Sequence, residues 1–261
     1  MTHRRPQLTF LLAAVVVAAQ CLAAEPSSRT YAVLSLVGDR FMVAAPKIDA
    51  GRESSRKAFV EFPAGAVDTE VSIAVEDALR EADPSSATVL LRARGTEFFQ
   101  LQADGLDRGG DSMDLYRQLR PRLGDIPATH LILVGKIRRE PDIVPTYTCF
   151  GSGREPCRAL QPGRIEGVGV YVGRRLPVRD ANTGEPSPGF LAPFAYVRVS
   201  LFDLRSAELI TEQVLTESWV FPSGYDKDPM EVLDAAAKRV KMRELLVSAV
   251  RSAVPRLLQK R

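Results

Sequence analysis

The stretch from Thr129 to Ile137 (Thr-His-Leu-Ile-Leu-Val-Gly-Lys-Ile) constrains the fold most. It is almost continuously apolar, and a strand of that composition is one that protein covers on both faces. Such a strand belongs at the centre of a sheet with helices packed on either side. The chain is therefore expected to be an α/β protein: a mixed β-sheet flanked by helices, in a single domain with inserted loops.

The remaining segments fit around that strand. Thr30 to Val37 is a short β-rich run stopped by Gly38-Asp39 and reads as a buried first strand. Phe41 to Ala45 is expected to be its hairpin partner, and Pro46 to Arg56 a polar loop. From Gly65 onward Val67, Val71, Ala74, Val75, Ala78 and Leu79 recur at helical spacing until Asp83-Pro84 ends the pattern. Thr88 to Ala93 reads as a strand, and Phe98 to Leu101 as a short one. Asp111-Ser112 is a cap for a helix carrying Met113, Tyr116 and Leu119, closed by Pro121 and Gly124. Ile165 to Val172 has strand composition, with Gly167, Gly169 and Gly173 marking a bulge or a close backbone approach. Phe194 to Phe202 and Glu208 to Trp219 form a hairpin signal around Asp203, and a helix closes the chain. Inserted loops are placed near 140–161 and 179–193.

Residues 1–24 read as a cleavable signal peptide. Arg4 and Arg5 precede an apolar stretch from Leu8 to Ala19, and Ala23-Ala24 suits a signal peptidase. That stretch is shorter than the roughly 20 apolar residues a membrane helix needs, so no transmembrane span is expected in the mature chain. Gln20 stands where lipid attachment at Cys21 would want a small residue. The domain boundaries are then 1–24 for the signal and 25–261 for the α/β domain, in a protein that is periplasmic or secreted.

Removing Arg4 and Arg5 from the 35 basic side chains leaves 33 against 32 acidic ones. A nucleic-acid binder concentrates excess Lys and Arg to neutralise phosphates, so this balance argues against one. The two dense basic clusters, Lys136 to Arg139 and Lys238 to Arg243, read as solvated faces. Cys149 and Cys157, the two cysteines beyond the signal, bracket a loop of turn formers, and in an oxidising compartment they are expected to form a disulfide. The chain-entropy model gives such a bridge about 2 to 3 kcal/mol.

Motifs for chemistry are few. With the signal removed, His130 is the one histidine, and the sequence holds neither a Cys-x-x-Cys pair nor a His-Glu-x-x-His run, so neither a metal nor a cofactor is expected. The Gly167 to Gly173 run has no helix opening after it to cap a phosphate. Asp39, at the end of the first strand, and Asp203, in the hairpin turn, are candidates for acid/base work beside His130, although turn chemistry alone also favours Asp at both.

With the elements in order, the chain resembles a group of secreted bacterial α/β proteins. They are the domain shared by curli-secretion lipoproteins, lipoprotein activators of penicillin-binding proteins, flagellar outer-membrane accessory proteins and the amino-terminal domain of TolB. The resemblance lies in Tyr31 to Leu36 as first strand, Ala128 to Ile137 as central strand, Val197 to Glu212 as hairpin and Val247 to Leu258 as closing helix. It implies a non-enzymatic accessory or binding protein whose partners are envelope proteins. A secreted factor acting outside the cell and an envelope enzyme are the alternatives.

Overall fold

The apolar run forms a strand with a neighbour on each side. The computed structural model describes residues 29–38, 40–49, 52–61, 65–143, 148–149, 163–179, 186–223 and 227–259. In chain order the elements are β1 (Thr30–Ser35), β2 (Arg40–Asp49), β3 (Arg52–Glu61), α1 (Ala66–Ala82), β4 (Ala87–Leu91), α2 (Glu97–Arg108) and α3 (Ser112–Leu123). There follow β5 (His130–Lys136), β6 (Arg138–Arg139), β7 (Thr148–Cys149), β8 (Ile165–Arg179), β9 (Pro186–Asp203), β10 (Glu208–Ser218), β11 (Phe221–Pro222), a 3-10 turn (Pro229–Glu231) and α4 (Ala235–Gln259).

These strands make one mixed sheet in an α/β domain, with the short β6 paired separately to β8. β1 runs parallel to β4 on one side and to β5 on the other. β9 organises the rest. Its carboxyl half pairs antiparallel with β5 and its amino half antiparallel with β8, so β5 and β8 lie end to end along one side of it. β10 and β11 follow one another along the other side. In the same way β2, parallel to β8, continues the line of β1. The sheet thus has two blocks joined by β9: β4-β1-β5 with β10, and β3-β2-β8 with β11.

Side-chain alternation sorts the first block onto two faces. Tyr31, Val33, Ile132, Val134, Val199 and Leu201 meet the apolar stripes of α1 and α4 on one side. Ala32, Leu34, Leu131, Leu133 and Phe202 meet Tyr116 and Leu119 of α3 on the other. In the second block Val168, Val170, Val172 and Leu191 join the α1/α4 core, whereas Met42, Ala44, Tyr171, Phe190, Phe194 and Tyr196 are buried without a helix among the described residues. Ile137, Ile143 and Ile165 cover them instead.

Several expectations are corrected. Phe41 to Ala45 does not pair with β1. Gly38, at a φ of +87°, turns the chain into the second block, where β2 pairs with β3. The polar stretch 46–56 belongs mostly to these two strands, because β3 is an edge strand and an edge tolerates charge on its solvent sides. Phe98 to Leu101 opens α2 rather than a strand, with the three-residue spacing of a helix face. The loop placed at 179–193 is cut short because β9 begins at Pro186. Its early prolines, Pro186 and Pro188, fall where β9 pairs with β8 alone among the described residues, and an edge position needs no donor there.

Candidate functional site

The junction of the two blocks creates the site. β1 and β5 both end there, and their last ladder bond is Leu36 N donating to Val134 O at 2.8 Å. Beyond it α2 supplies a substitute. Gln102 is its one fully buried side chain; Nε2 donates to Leu36 O at 2.6 Å and Oε1 accepts from Lys136 N at 2.7 Å. Gly135 leaves room for this amide, since a Cβ there would lie 2.8 Å from Gln102 Oε1. The end of β1 is closed by Asp68 in the first turn of α1. Its carboxylate accepts from Val37 N at 2.9 Å, from Gly38 N at 3.2 Å and from Ser35 Oγ at 2.5 Å.

Between α2, the start of α3 and the sheet lies a cleft of about 180 Å³ whose charged lining is Lys136, Arg138, Arg139, Arg164, Arg198 and Asp111. It lies outside the carboxyl ends of the parallel strands β1 and β5, where open α/β sheets place their ligands. Arg138 is held on both sides, by Asp107 at 2.6 Å and Glu166 at 2.6 Å. Burial works against its charge, but the two carboxylates outweigh burial and hold the guanidinium ionised. Lys57 of β3 stands close by. Burial pushes its ammonium below the usual lysine range, Glu166 opposes, and Arg138 and Arg164 reinforce the fall.

Deeper in the cleft Ser112 is a hub. Its hydroxyl donates to Glu212 Oε2 and receives Arg198 Nη1 at 3.1 Å, and it shares a 3.0 Å hydrogen bond with Ser200 Oγ. A hydroxyl offers one proton and two lone pairs, so these three neighbours use all that Ser112 has. The arrangement sets a hydroxyl beside a carboxylate, with Arg198 and Ser200 donating to the hydroxyl. Asp111 is likewise committed, accepting from Asp114 N at 2.9 Å as the cap of α3. Arg198 retains one unmet donor: Nε is buried without a hydrogen-bond acceptor, 3.7 Å from Glu212.

The residues singled out in the sequence lie elsewhere. His130 is at the opposite end of β5, six residues or about 20 Å from Lys136. Its Nδ1 is 2.8 Å from Thr129 Oγ1, its ring packs 5.4 Å from Tyr31, and its ladder partner is Asp203. Burial pushes its pKa down and Asp203 opposes the shift. Asp203 itself accepts from Ser206 N and Arg205 N, which hold its carboxyl below the usual range in an ordinary turn role. Asp39 lies outside the described residues, and its neighbour Gly38 is at the cleft end of β1, away from Asp203. Cys149 is in β7; Cys157, and with it the expected disulfide, lies outside the described residues. Among the described residues no group of three or more His, Cys, Asp or Glu could hold a metal ion.

Lys136 to Arg139 therefore does more than face solvent: all three cations line the cleft, and the Arg138 side chain is 25% exposed. The available signal was position, since these cations directly follow the central strand. No helix among the described residues is long and apolar enough to cross a membrane.

No protein-family model matches the chain, and no curated protein matches it. Among solved structures it is similar to protein XCC0632 from Xanthomonas campestris, described as belonging to DUF330, at 11% identity over 89% of this chain and 85% of that one, with a TM-score of 0.35. It is also similar to the hypothetical protein CT253 from Chlamydia trachomatis, at 12% identity over 87% of this chain and 98% of that one, with a TM-score of 0.29. At those scores the likenesses carry no argument about what the chain does.

Proposed function

We propose that this protein is an exported, non-enzymatic binding or accessory protein of the bacterial cell envelope, and that the cleft at the block junction is where it holds its partner. The observation that carries the reading is the division of labour in the cleft. Ser112, Glu212 and Asp111, the groups able to act as nucleophile or base, are engaged with one another or with backbone. Arg139 and Arg164 have no carboxylate within ion-pair distance among the described residues. A site with these groups engaged and with Arg139 and Arg164 lacking an ion-pair partner among the described residues is suited to holding a ligand rather than transforming one. The signal-like segment 1–24 and the resemblance to envelope accessory proteins support the location.

The test is in vivo crosslinking of the full chain, exported by its own signal and tagged at the carboxyl terminus, followed by envelope fractionation and intact mass measurement. The reading expects a periplasmic product cut near Ala24 and one dominant envelope partner, lost when Arg139 and Arg164 are both changed to Glu. Accumulation in the medium, or a crosslinking pattern indifferent to those changes, would overturn it.

A further inference from the structure

We infer that the cleft is a receptor for a phosphate-type oxyanion, bound chiefly by Arg139 and Arg164 with Arg198 beneath them. This rests on the binding reading above and names the chemistry of the ligand. The charges are unequal. Lys136, Arg138, Arg139, Arg164 and Arg198 line the cleft against Asp111, whose carboxylate caps α3 and offsets one of these charges. Arg138 is matched by Asp107 and Glu166, and Arg198 is approached by Glu212, so among the described residues the guanidiniums without an ion-pair partner are those of Arg139 and Arg164.

These two reach the cleft from adjacent strands. Arg139 pairs with Ile165 in the β6–β8 ladder, and Arg164 precedes Ile165 in the chain. Two forks so placed offer several N–H donors and two positive charges. A carboxylate neutralises one of them. A phosphate monoester brings a charge of about −1.5 to −2 and three terminal oxygens, which suits both. The Arg198 guanidinium, approached by Glu212, adds a third positive group to the same lining. The nearby Lys57 adds to the positive field around Arg138 and Arg164.

The chemistry has two sources, a soluble phosphate or phosphate monoester and the phosphomonoester headgroup of an anionic lipid. The exported protein would be titrated with inorganic phosphate against chloride at equal ionic strength, and separately mixed with vesicles of phosphatidylcholine with or without phosphatidic acid. Saturable binding of phosphate is expected, weakened at least tenfold in the Arg139→Gln/Arg164→Gln variant, whose thermal unfolding should match the wild type. Affinity for inorganic phosphate should also fall as the pH drops through neutrality, where the dianion takes up a proton. Phosphate binding without vesicle binding assigns a soluble ester; binding to phosphatidic acid vesicles that phosphate competes away assigns a headgroup. Phosphate bound no better than chloride, or equally well by the double variant, would overturn the inference. If that happens while the envelope partner is still captured, the accessory reading stands without it; loss of the partner with phosphate binding intact removes the reading instead.

Discussion

The two blocks of the sheet share β9 but are finished differently. In the block built on β1 and β5, helices cover both faces, and its central strands are almost wholly buried. In the block built on β2 and β8, one face is covered by α4 and α1 and the other, among the described residues, by Ile137 and Ile143 from connecting segments and Ile165 at the start of β8; its edge strand β3 leaves Phe59 and Val60 each 44% exposed. The difference separates the support from the candidate site. The doubly covered block is the rigid support, and the junction with its thinner neighbour, where ladder bonds run out, is where polar side chains replace backbone and a charged cleft opens.

The comparison is tested hardest in the support. Leu131 is completely buried between β1 and β9 on the α3 face. Leu131→Ala should lower global stability by about 3 kcal/mol through lost burial and the cavity left behind. Urea denaturation checks it, and a loss under 1 kcal/mol would mean this core is not the tighter of the two.

A change in the second block should act locally. A Cβ on Gly169 would stand 2.1 Å from Met42 O, where β8 meets β2. Gly169→Ala is therefore expected to force β2 away from β8 at about 2 kcal/mol, within the usual range for overpacking. Amide exchange would read it as protection lost in β2 and β3 and kept in β1 and β5. Equal loss in both blocks would show that they unfold as one.

At the junction, Gln102→Ala removes the amide that serves Leu36 O and Lys136 N. Leu36 is wholly buried whereas Lys136 lines the cleft, so the expected loss is about 1.5 kcal/mol, the order of the penalty for one stranded backbone group. Faster exchange of the Lys136 amide would check it.

Coverage also decides how much the sequence reveals. Thr30–Val37 and Thr129–Ile137 are apolar because both their faces are buried, so their strands and the α/β class could be read directly. The α1 pattern was equally plain, since a helix with one buried face repeats its apolar positions. The start of β3 carries Arg52, Glu53 and Arg56 and reads as loop, because an edge strand with little to bury has no apolar alternation to show. The short α2 gave no helical signal strong enough to outweigh its aromatic pair Phe98-Phe99, its one fully buried side chain being the polar Gln102. The site itself was legible only as a basic run. Ser112 is remote in sequence from Arg198 and Glu212, which lie on the two arms of one hairpin, and it takes the β9–β10 register to bring Arg198 beside Glu212 and the packing of α3 to set Ser112 against both.

The smallest expected effect compares the two ends of β5. At the end away from the cleft, His130 is pushed below its ordinary value of 6.5 by burial, with Asp203 opposing. The sign follows from which state refuses the proton. As pH falls through 6.5 the unfolded chain protonates its histidine while the folded chain does not, so stability is complete above that pH and declines below it. Asp203 acts in a separate, lower window: its folded carboxyl is depressed from 3.8, so its contribution is complete above about pH 4 and is lost in stronger acid. Expressed from Glu25 onward the protein carries one histidine, so a single imidazole signal in an NMR titration reports this site. It should titrate below 6.5, and lower still in Asp203→Asn, which removes the opposing charge but keeps an oxygen for the turn. Titration at or above 6.5 would mean that Asp203 outweighs burial, and that this end of β5 is an ion pair rather than the dry end of the strand.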